Sequence, residues 1–214
     1  MCRIRVNRIA QSTDRVVFGG KNMQADSDAL LIVDVQRDFL PGGALAVTNG
    51  DQVVPVLAEA SKVFSSAGHP VIASRDWHPA DHCSFEASGG PWPPHCVAGT
   101  SGAELDPELR LPPGTKIVNK ATTSDKDAYS AFAGTDLDSW LKQKGVKRLF
   151  VGGLATEFCV LNTAADAVKY GYDVVLLEDA IRPIDPVAGE CAVESLRQMH
   201  VKVKKSGDVL NALR

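Results

Sequence analysis

Residues 148–170 decide the fold of this chain, and they read RLFVGGLATEFCVLNTAADAVKY. The stretch predicts a buried strand over 149–151, then a glycine pair, a short turn and a helix. One apolar face of that helix recurs at the i, i+3, i+7 and i+10 spacing, and its members are Phe158, Leu161, Ala165 and Val168. A strand followed directly by a helix is typical of an α/β protein.

Cys159 lies in the first turn of that predicted helix, with Thr156 as the predicted N-cap. The unpaired backbone N–H groups and the positive end of the helix dipole favour a thiolate over a thiol at this position. Cys159 is therefore a candidate nucleophile. The structural alternative is a small buried cysteine that packs under a sheet, because free cysteine is often buried.

Strand and helix patterns alternate on both sides of this stretch. The further strand patterns cover residues 29–33, 70–74, 116–118, 173–177 and 201–203. The further helix patterns cover residues 51–66, 136–144 and 186–199. The alternation implies right-handed crossovers between parallel strands. We expect an α/β fold with an open six-stranded parallel sheet of order 3-2-1-4-5-6 and helices on both of its faces.

Length and composition favour one globular domain. The chain has 214 residues, and we assign 28–214 to the domain and 1–27, which have a basic bias, to an N-terminal extension. A formal charge of −3 gives no electrostatic reason to expect nucleic acid. No apolar run approaches the roughly 20 residues of a membrane span. The five scattered cysteines include no CxxC pair, which favours a reducing compartment, and we expect the cytoplasm.

Three polar residues follow the predicted strands in a pattern that suits thiol chemistry. Asp34 follows the first strand, Lys120 the third and Cys159 the fourth, so all should lie at the carboxyl edge of the sheet, where such folds bind ligands. Acyl transfer by a thiol needs a base, for which Asp34 is the candidate. Lys120 would keep that carboxylate ionised. Taken singly, Asp34 could merely end a strand and Lys120 could be a solvated loop lysine.

A second polar set follows the second strand. Asp76 and His78 are two residues apart on an extended segment, so their side chains point to the same side and can chelate one ion. His95, from the long loop that follows, can complete the set, while His82 and Glu86 are open as further ligands. Nitrogen and oxygen donors of this kind suit one divalent ion, zinc first and iron or manganese next. The alternative is a group of surface histidines.

With these residues identified, the chain resembles the nicotinamidases (pyrazinamidases) among the isochorismatase-like cysteine hydrolases. The resemblance covers most of residues 28–182 in five segments: LIVDVQRDFLPGGALAV, SRDWHPADHCSFEA, WPPHCVAGTSGAEL, VNKATTSDKDAYSAF and VGGLATEFCVLNTAADA. It implies hydrolysis of nicotinamide to nicotinate and ammonia in NAD salvage, and action on pyrazinamide as well. It implies a catalytic triad of Asp34, Lys120 and Cys159, and a metal site of Asp76, His78 and His95.

The resemblance also implies how the substrate is held. It places a cis peptide at Leu154–Ala155, with the amides of Ala155 and Cys159 as an oxyanion hole. It implies that the metal ion binds the ring nitrogen and that the substrate contacts are Phe39, Trp92, Leu154 and Tyr129. The chain departs from the family in its N-terminal extension and in a long spacing between Lys120 and Tyr129.

Other functions stay open on sequence grounds. A different amidohydrolase of the superfamily, such as an N-carbamoyl amidase, would use the same thiol. An isochorismatase would not need a thiol, and Cys159 argues against that activity. A non-catalytic α/β protein with a structural metal would leave the combination of Asp34, Lys120 and Cys159 unexplained. The expected partner is a small molecule, neither nucleic acid nor membrane, and a homo-oligomer is left open.

Overall fold

Six parallel strands form one sheet in residues 28–214, the part of the chain that the computed structural model describes. The proposed extension over 1–27 lies outside the described residues. The strands are β1 Asp28–Val33, β2 Val71–Asp76, β3 Lys116–Lys120, β4 Arg148–Leu154, β5 Asp173–Arg182 and β6 Lys202–Lys204. Their order is β3-β2-β1-β4-β5-β6, and each neighbouring pair is parallel. The predicted topology is confirmed.

Helices cover both faces of this sheet, as predicted. They are α1 Val53–Ser66, α2 Leu137–Gln143, α3 Leu161–Lys169, α4 Pro186–Gln198 and α5 Ser206–Leu213. One core joins the sheet to α1 and α5, and the other joins it to α2, α3 and α4. The central strand β1 serves both cores because alternate side chains point to opposite faces: Leu30 enters the first core and Leu31 the second. None of the helices in 28–214 is long and apolar enough to cross a membrane.

The start of α3 differs from the prediction. Residues Thr156–Val160 form a π-helical turn, which contains one more residue than an α-helical turn and therefore rotates the helix that follows. As a result, Val160, Ala164 and Ala167 are fully buried, while the predicted face is only half-buried. The prediction of Thr156 as N-cap is also wrong. Ala155 holds the cap position, and the Thr156 hydroxyl is buried without a hydrogen-bond partner among the described residues.

The long segment between β2 and β3 is held against the carboxyl edge of the sheet. It contains three short 3-10 turns, Glu86–Ser88, Ser101–Ala103 and Pro107–Leu109. Gln36, which is fully buried after β1, donates through Nε2 to the carbonyls of Asp76 and Ala103. The carboxylate of Asp38 accepts a hydrogen bond from the Cys96 N–H at 2.7 Å. These bonds fix the segment that carries His95.

Candidate active site

The structure brings Asp34, Lys120 and Cys159 together at the carboxyl edge of the sheet. Asp34 follows β1, Lys120 is the last residue of β3, and Cys159 lies in the turn after β4. Lys120 Nζ lies 3.0 Å from Asp34 Oδ2 and 3.4 Å from Cys159 Sγ. All three side chains are buried, with Asp34 0% and Lys120 1% exposed. The lysine is therefore not a solvated loop residue.

The two carboxylate oxygens of Asp34 have different partners, Ser74 for one and the Lys120 ammonium for the other. Its Oδ1 accepts a hydrogen bond from Ser74 Oγ at 2.7 Å, which leaves Oδ2 beside Lys120. An oxygen of Asp34 and the sulfur of Cys159 lie within 4.8 Å of each other. Burial raises the pKa of Asp34, and the positive charge of Lys120 opposes that rise. The carboxylate is thus placed to accept a proton from the thiol.

The electrostatics of the site favour a charged lysine and a neutral thiol. Although burial acts to lower the pKa of Lys120, the carboxylates of Asp34 and Asp76 raise it well above its ordinary value. Burial raises the pKa of Cys159 well above its ordinary value, and Lys120 only partly offsets this effect. The prediction that a thiolate is favoured over a thiol is wrong, because burial raises the pKa of Cys159. The sulfur therefore needs a base at the moment of attack.

Asp76, His78 and His95 meet beside this cluster. All three are buried, and one potential ligand atom from each lies within 4.8 Å of the others. The Nδ1 of His78 contacts the Ala121 carbonyl at 3.3 Å, and the Nδ1 of His95 contacts the Pro93 carbonyl at 2.8 Å. A carbonyl can only accept, so Nδ1–H donates in both rings and each Nε2 keeps its lone pair for an ion.

The donor set fits a divalent metal ion. Burial, together with His95 and His82, lowers the pKa of His78 to about 3, so its ring is neutral. Neutral imidazole is the form of histidine that binds metal. Two nitrogen donors and one carboxylate are typical of zinc sites that keep a position open.

An apolar pocket lies over the thiol and the candidate metal ligands. Its walls are Phe39, Leu45, Asp76, Trp92, His95, Tyr129, Ala155, Phe158, Cys159 and Ile184. The indole N–H of Trp92 donates to the Tyr129 hydroxyl at 3.1 Å, which fixes these two rings relative to each other. The wide sequence spacing between Lys120 and Tyr129 therefore does not keep Tyr129 out of the pocket. The Leu154–Ala155 peptide bond beside the thiol is cis, as the resemblance implied.

Comparison with known proteins identifies the family. The isochorismatase domain matches residues 28–208. The chain belongs to the isochorismatase family. It is 38% identical over 184 residues to a nicotinamidase from Acinetobacter baylyi, and the match covers 76% of this chain and 84% of that protein.

Two solved structures of this family resemble the chain closely. The pyrazinamidase of Pyrococcus horikoshii in complex with zinc is 48% identical, with a TM-score of 0.81, over 84% of this chain and 99% of that one. PnC1 from L. infantum in complex with nicotinate is 39% identical, with a TM-score of 0.76, over 86% of this chain and 94% of that one.

Two residues left open as further metal ligands, His82 and Glu86, and one predicted substrate contact, Leu154, do not join the groups described above for this isochorismatase-family site. Both ring nitrogens of His82 are engaged, by Ser84 Oγ at 2.7 Å and by the Lys126 carbonyl at 3.2 Å. Glu86 is exposed. Neither joins the group formed by Asp76 and the two other histidines. Leu154 is fully buried in the core between the sheet and α1 and does not line the pocket.

The site also contains residues that sequence reasoning missed. Phe158 packs edge-on against Trp92, with ring centroids 5.2 Å apart, although its spacing suggested a helix face. Ser74 was visible in the sequence as the polar end of an apolar strand, and it binds Asp34 on the neighbouring strand. Leu45 and Ile184 come from connecting segments without a periodic pattern, so no signal in the sequence identified them.

Proposed function

We propose that this chain is a nicotinamidase that hydrolyses nicotinamide to nicotinate and ammonia through a thioester on Cys159. One observation carries the proposal: Lys120 Nζ contacts both Asp34 Oδ2 and Cys159 Sγ at the base of an aromatic pocket. This arrangement supports Asp34 as the base, Lys120 as the cation and Cys159 as the nucleophile for a planar carboxamide in the pocket. The nicotinamidase and pyrazinamidase names of its relatives support the same substrate.

The proposed first half-reaction forms the C–S bond, breaks the C–N bond and moves one proton from sulfur to nitrogen. Cys159 sulfur attacks the carboxamide carbon while Asp34 accepts the thiol proton. The ammonium of Lys120 balances the negative charge on the base. The amides of Ala155 and Cys159 hold the oxyanion, and loss of one such donor typically lowers the rate on the order of 100- to 1000-fold. Asp34 then returns the proton to nitrogen, the C–N bond breaks and ammonia leaves.

The second half-reaction consumes water. Asp34 accepts a proton from water as the oxygen attacks the thioester carbon, and the same oxyanion donors serve again. Asp34 then gives that proton to the sulfur of Cys159 as the C–S bond breaks, and the acid product leaves as nicotinate after releasing its own proton to solvent. The two carboxylic oxygens of the product therefore come from the substrate amide and from water.

Asp76, His78 and His95 would hold the cofactor, for which we propose zinc, with iron or manganese as alternatives. The pyrazinamidase of P. horikoshii was solved in complex with zinc. When bound, such an ion would supply a Lewis acid that orients the ring through its nitrogen. Phe39, Trp92 and Tyr129 would hold the ring faces and edges, and Leu154 lies in the same core cluster as Phe39. Pyrazinamide has the same shape and should also be a substrate.

We further propose that residues 28–214 form the catalytic domain, with 1–27 as an extension, and that the protein acts in the cytoplasm. The cysteines support a reducing compartment: within 28–214, Cys83, Cys96, Cys159 and Cys191 are all free thiols. A homo-oligomeric state stays a prediction.

The test measures ammonia release from nicotinamide by zinc-supplemented protein. Wild type should be active and Cys159→Ala inactive, whereas Cys191→Ala, which removes an exposed thiol, should match wild type. Ammonia release by Cys159→Ala would refute the assignment of Cys159 as the nucleophile. If wild type does not hydrolyse nicotinamide but releases ammonia from a carbamoylated amine, the chain is instead an N-carbamoyl amidase.

A further inference from the structure

Glu157 lies two residues before Cys159 in the π-helical turn, and no step of the proposed mechanism uses it. Its carboxylate accepts hydrogen bonds from two consecutive backbone N–H groups, Ile184 N at 2.9 Å and Asp185 N at 2.8 Å, both to Oε1. Its Oε2 lies 3.2 Å from Ile184 N. Hydrogen bonds to an ionised acceptor are stronger than neutral ones, so this side chain holds the segment firmly.

The segment that Glu157 holds is the short connection between β5 and α4. The strand ends at Arg182 and the helix begins at Pro186. Asp185 caps that helix by accepting a hydrogen bond from the Ala188 N–H at 2.8 Å. Both ends of the connection are therefore fixed by regular structure, and its middle is fixed by the carboxylate of Glu157.

Ile184, at the middle of this connection, forms part of the substrate pocket. It lines the pocket together with Cys159 and is 38% exposed, so it lies at the boundary between the pocket and solvent. Phe158, from the same turn as Glu157, lines the same pocket. The turn Thr156–Val160 thus carries the proposed nucleophile Cys159 and the pocket residue Phe158. Through Glu157 it also binds the connection that carries Ile184.

We propose that Glu157 is a positioning residue that holds Ile184 against the substrate ring and so restricts which ring substituents the site accepts. The inference rests on the proposed function, because it takes an aromatic carboxamide as the ligand. Without the carboxylate, the two N–H groups lose their acceptor and the connection moves away from the ring. The ring then loses an apolar contact, while Asp34, Lys120 and Cys159 keep their places.

The test combines Glu157→Ala, Ile184→Ala and the double variant. We expect KM for nicotinamide to rise in each single variant, on the order of tenfold, with a smaller change in kcat. If Glu157 acts through Ile184, the KM of the double variant should match the KM of Ile184→Ala. Independent roles would instead multiply the two increases in KM. Ring-methylated nicotinamides should gain in kcat/KM relative to nicotinamide. Glu157→Gln keeps one acceptor oxygen, so its KM should lie between those of wild type and Glu157→Ala. It replaces the alanine variant in this test if that variant does not fold.

Asp179→Ala is the matched control. That carboxylate also holds two donors, Ser206 N at 2.8 Å and Ser206 Oγ at 2.7 Å, but at the start of α5 and outside the pocket walls. It should lower the unfolding temperature and leave KM and the preference among ring-methylated substrates unchanged. An equal change in that preference in Asp179→Ala would show a general loss of stability and overturn the proposal.

Hydrogen exchange separates this inference from the proposed function. The amides of Ile184 and Asp185 should exchange faster in Glu157→Ala than in wild type, whatever the substrate is. Unchanged exchange, or faster exchange with unchanged KM and substrate preference, would overturn the positioning role while leaving the activity intact. Wild type without activity on nicotinamide would instead refute the proposed function, and the exchange rates would still decide whether Glu157 holds the connection.

Discussion

Asp76 and Lys120 form a buried ion pair in which Nζ lies 2.5 Å from Oδ1. The other oxygen of the same carboxylate, Oδ2, lies 3.8 Å from His78 Nε2. Asp34 flanks the ammonium from a second direction at 3.0 Å. One buried cation thus pairs with two buried carboxylates, and Asp76 connects the proposed triad with the candidate metal centre.

Removal of the ammonium should therefore reduce both stability and activity. Lys120→Met leaves two buried carboxylates without a cation, so we expect a loss of about 3–5 kcal/mol in the free energy of unfolding. Ammonia release should also be lost. Lys142→Met, which breaks an exposed pair with Asp138, is the control and should change stability by less than about 1 kcal/mol. Equal urea midpoints for the two variants would contradict the central role of Lys120.

The hydrogen bond from Ser74 to Asp34 predicts a shift in the pH profile. In the proposed mechanism Asp34 must be ionised to accept the thiol proton, so kcat/KM should fall at acidic pH as it becomes protonated. Burial raises the pKa of Asp34, and the hydrogen bond from Ser74 counteracts part of that rise. Ser74→Ala should therefore raise the pKa further and move the acidic limb to higher pH.

Ser61→Ala is the control for that profile. Its hydroxyl is also buried, but it donates to the Ala58 carbonyl within α1, so the acidic limb should stay in place. An acidic limb that is identical in Ser74→Ala and wild type would show that Asp34 is not the group that limits the rate at acidic pH.

The residues that end parallel strands were the predictable part of the site. Strands of a parallel sheet share one carboxyl edge, so the positions of Asp34, Asp76 and Lys120 along the chain sufficed to predict that they meet. The sheet order followed from the alternation of strands and helices in the same way. The position of Cys159 at the same edge was also predictable, because the residue follows β4, the neighbour of β1.

Tertiary effects were not predictable. The π-helical turn shifts the phase of α3 by one residue, and no local pattern marks such an insertion. The pKa of the Cys159 thiol is raised mainly by burial, which depends on the whole fold. Helix α5 was not predicted, because its short apolar face, Val209 and Leu210, is defined by packing on the sheet. Ile184 lines the pocket from the connection between β5 and α4, whose Ile184 N–H donates to Glu157, a residue distant in the chain.

The proposed metal ligands can be tested without an activity assay. After dialysis against zinc, wild type should retain one ion per chain, and His95→Ala should lose it. His82→Ala should retain the ion, because its ring nitrogens bind Ser84 and Lys126 instead. His200→Ala removes an exposed histidine and controls for surface binding. Loss of zinc from a folded His82→Ala variant would mean that His82 joins the ligand set.

The close approach of β1 and β4 at Gly153 should be essential for the position of Asp34. Gly153 has φ of +136°, and a Cβ atom there would lie 2.0 Å from the carbonyl oxygen of Val33, the residue before Asp34. Gly153→Ala must push the strands apart and move Asp34 away from Cys159. We expect a loss of about 3 kcal/mol in unfolding free energy, together with a large fall in kcat.

Gly207→Ala is the matched control for that substitution. A Cβ at Gly207 in α5 meets no atom within 4 Å, and alanine favours the helix, so this variant should be more stable by about 0.5–1 kcal/mol and fully active. Urea unfolding and ammonia release measured on both variants distinguish steric displacement at β4 from a general effect of an added methyl group. If Gly153→Ala is stable and active, Asp34 tolerates separation of the two strands. The contacts of the Asp34 carboxylate with Ser74 and Lys120 argue against that outcome.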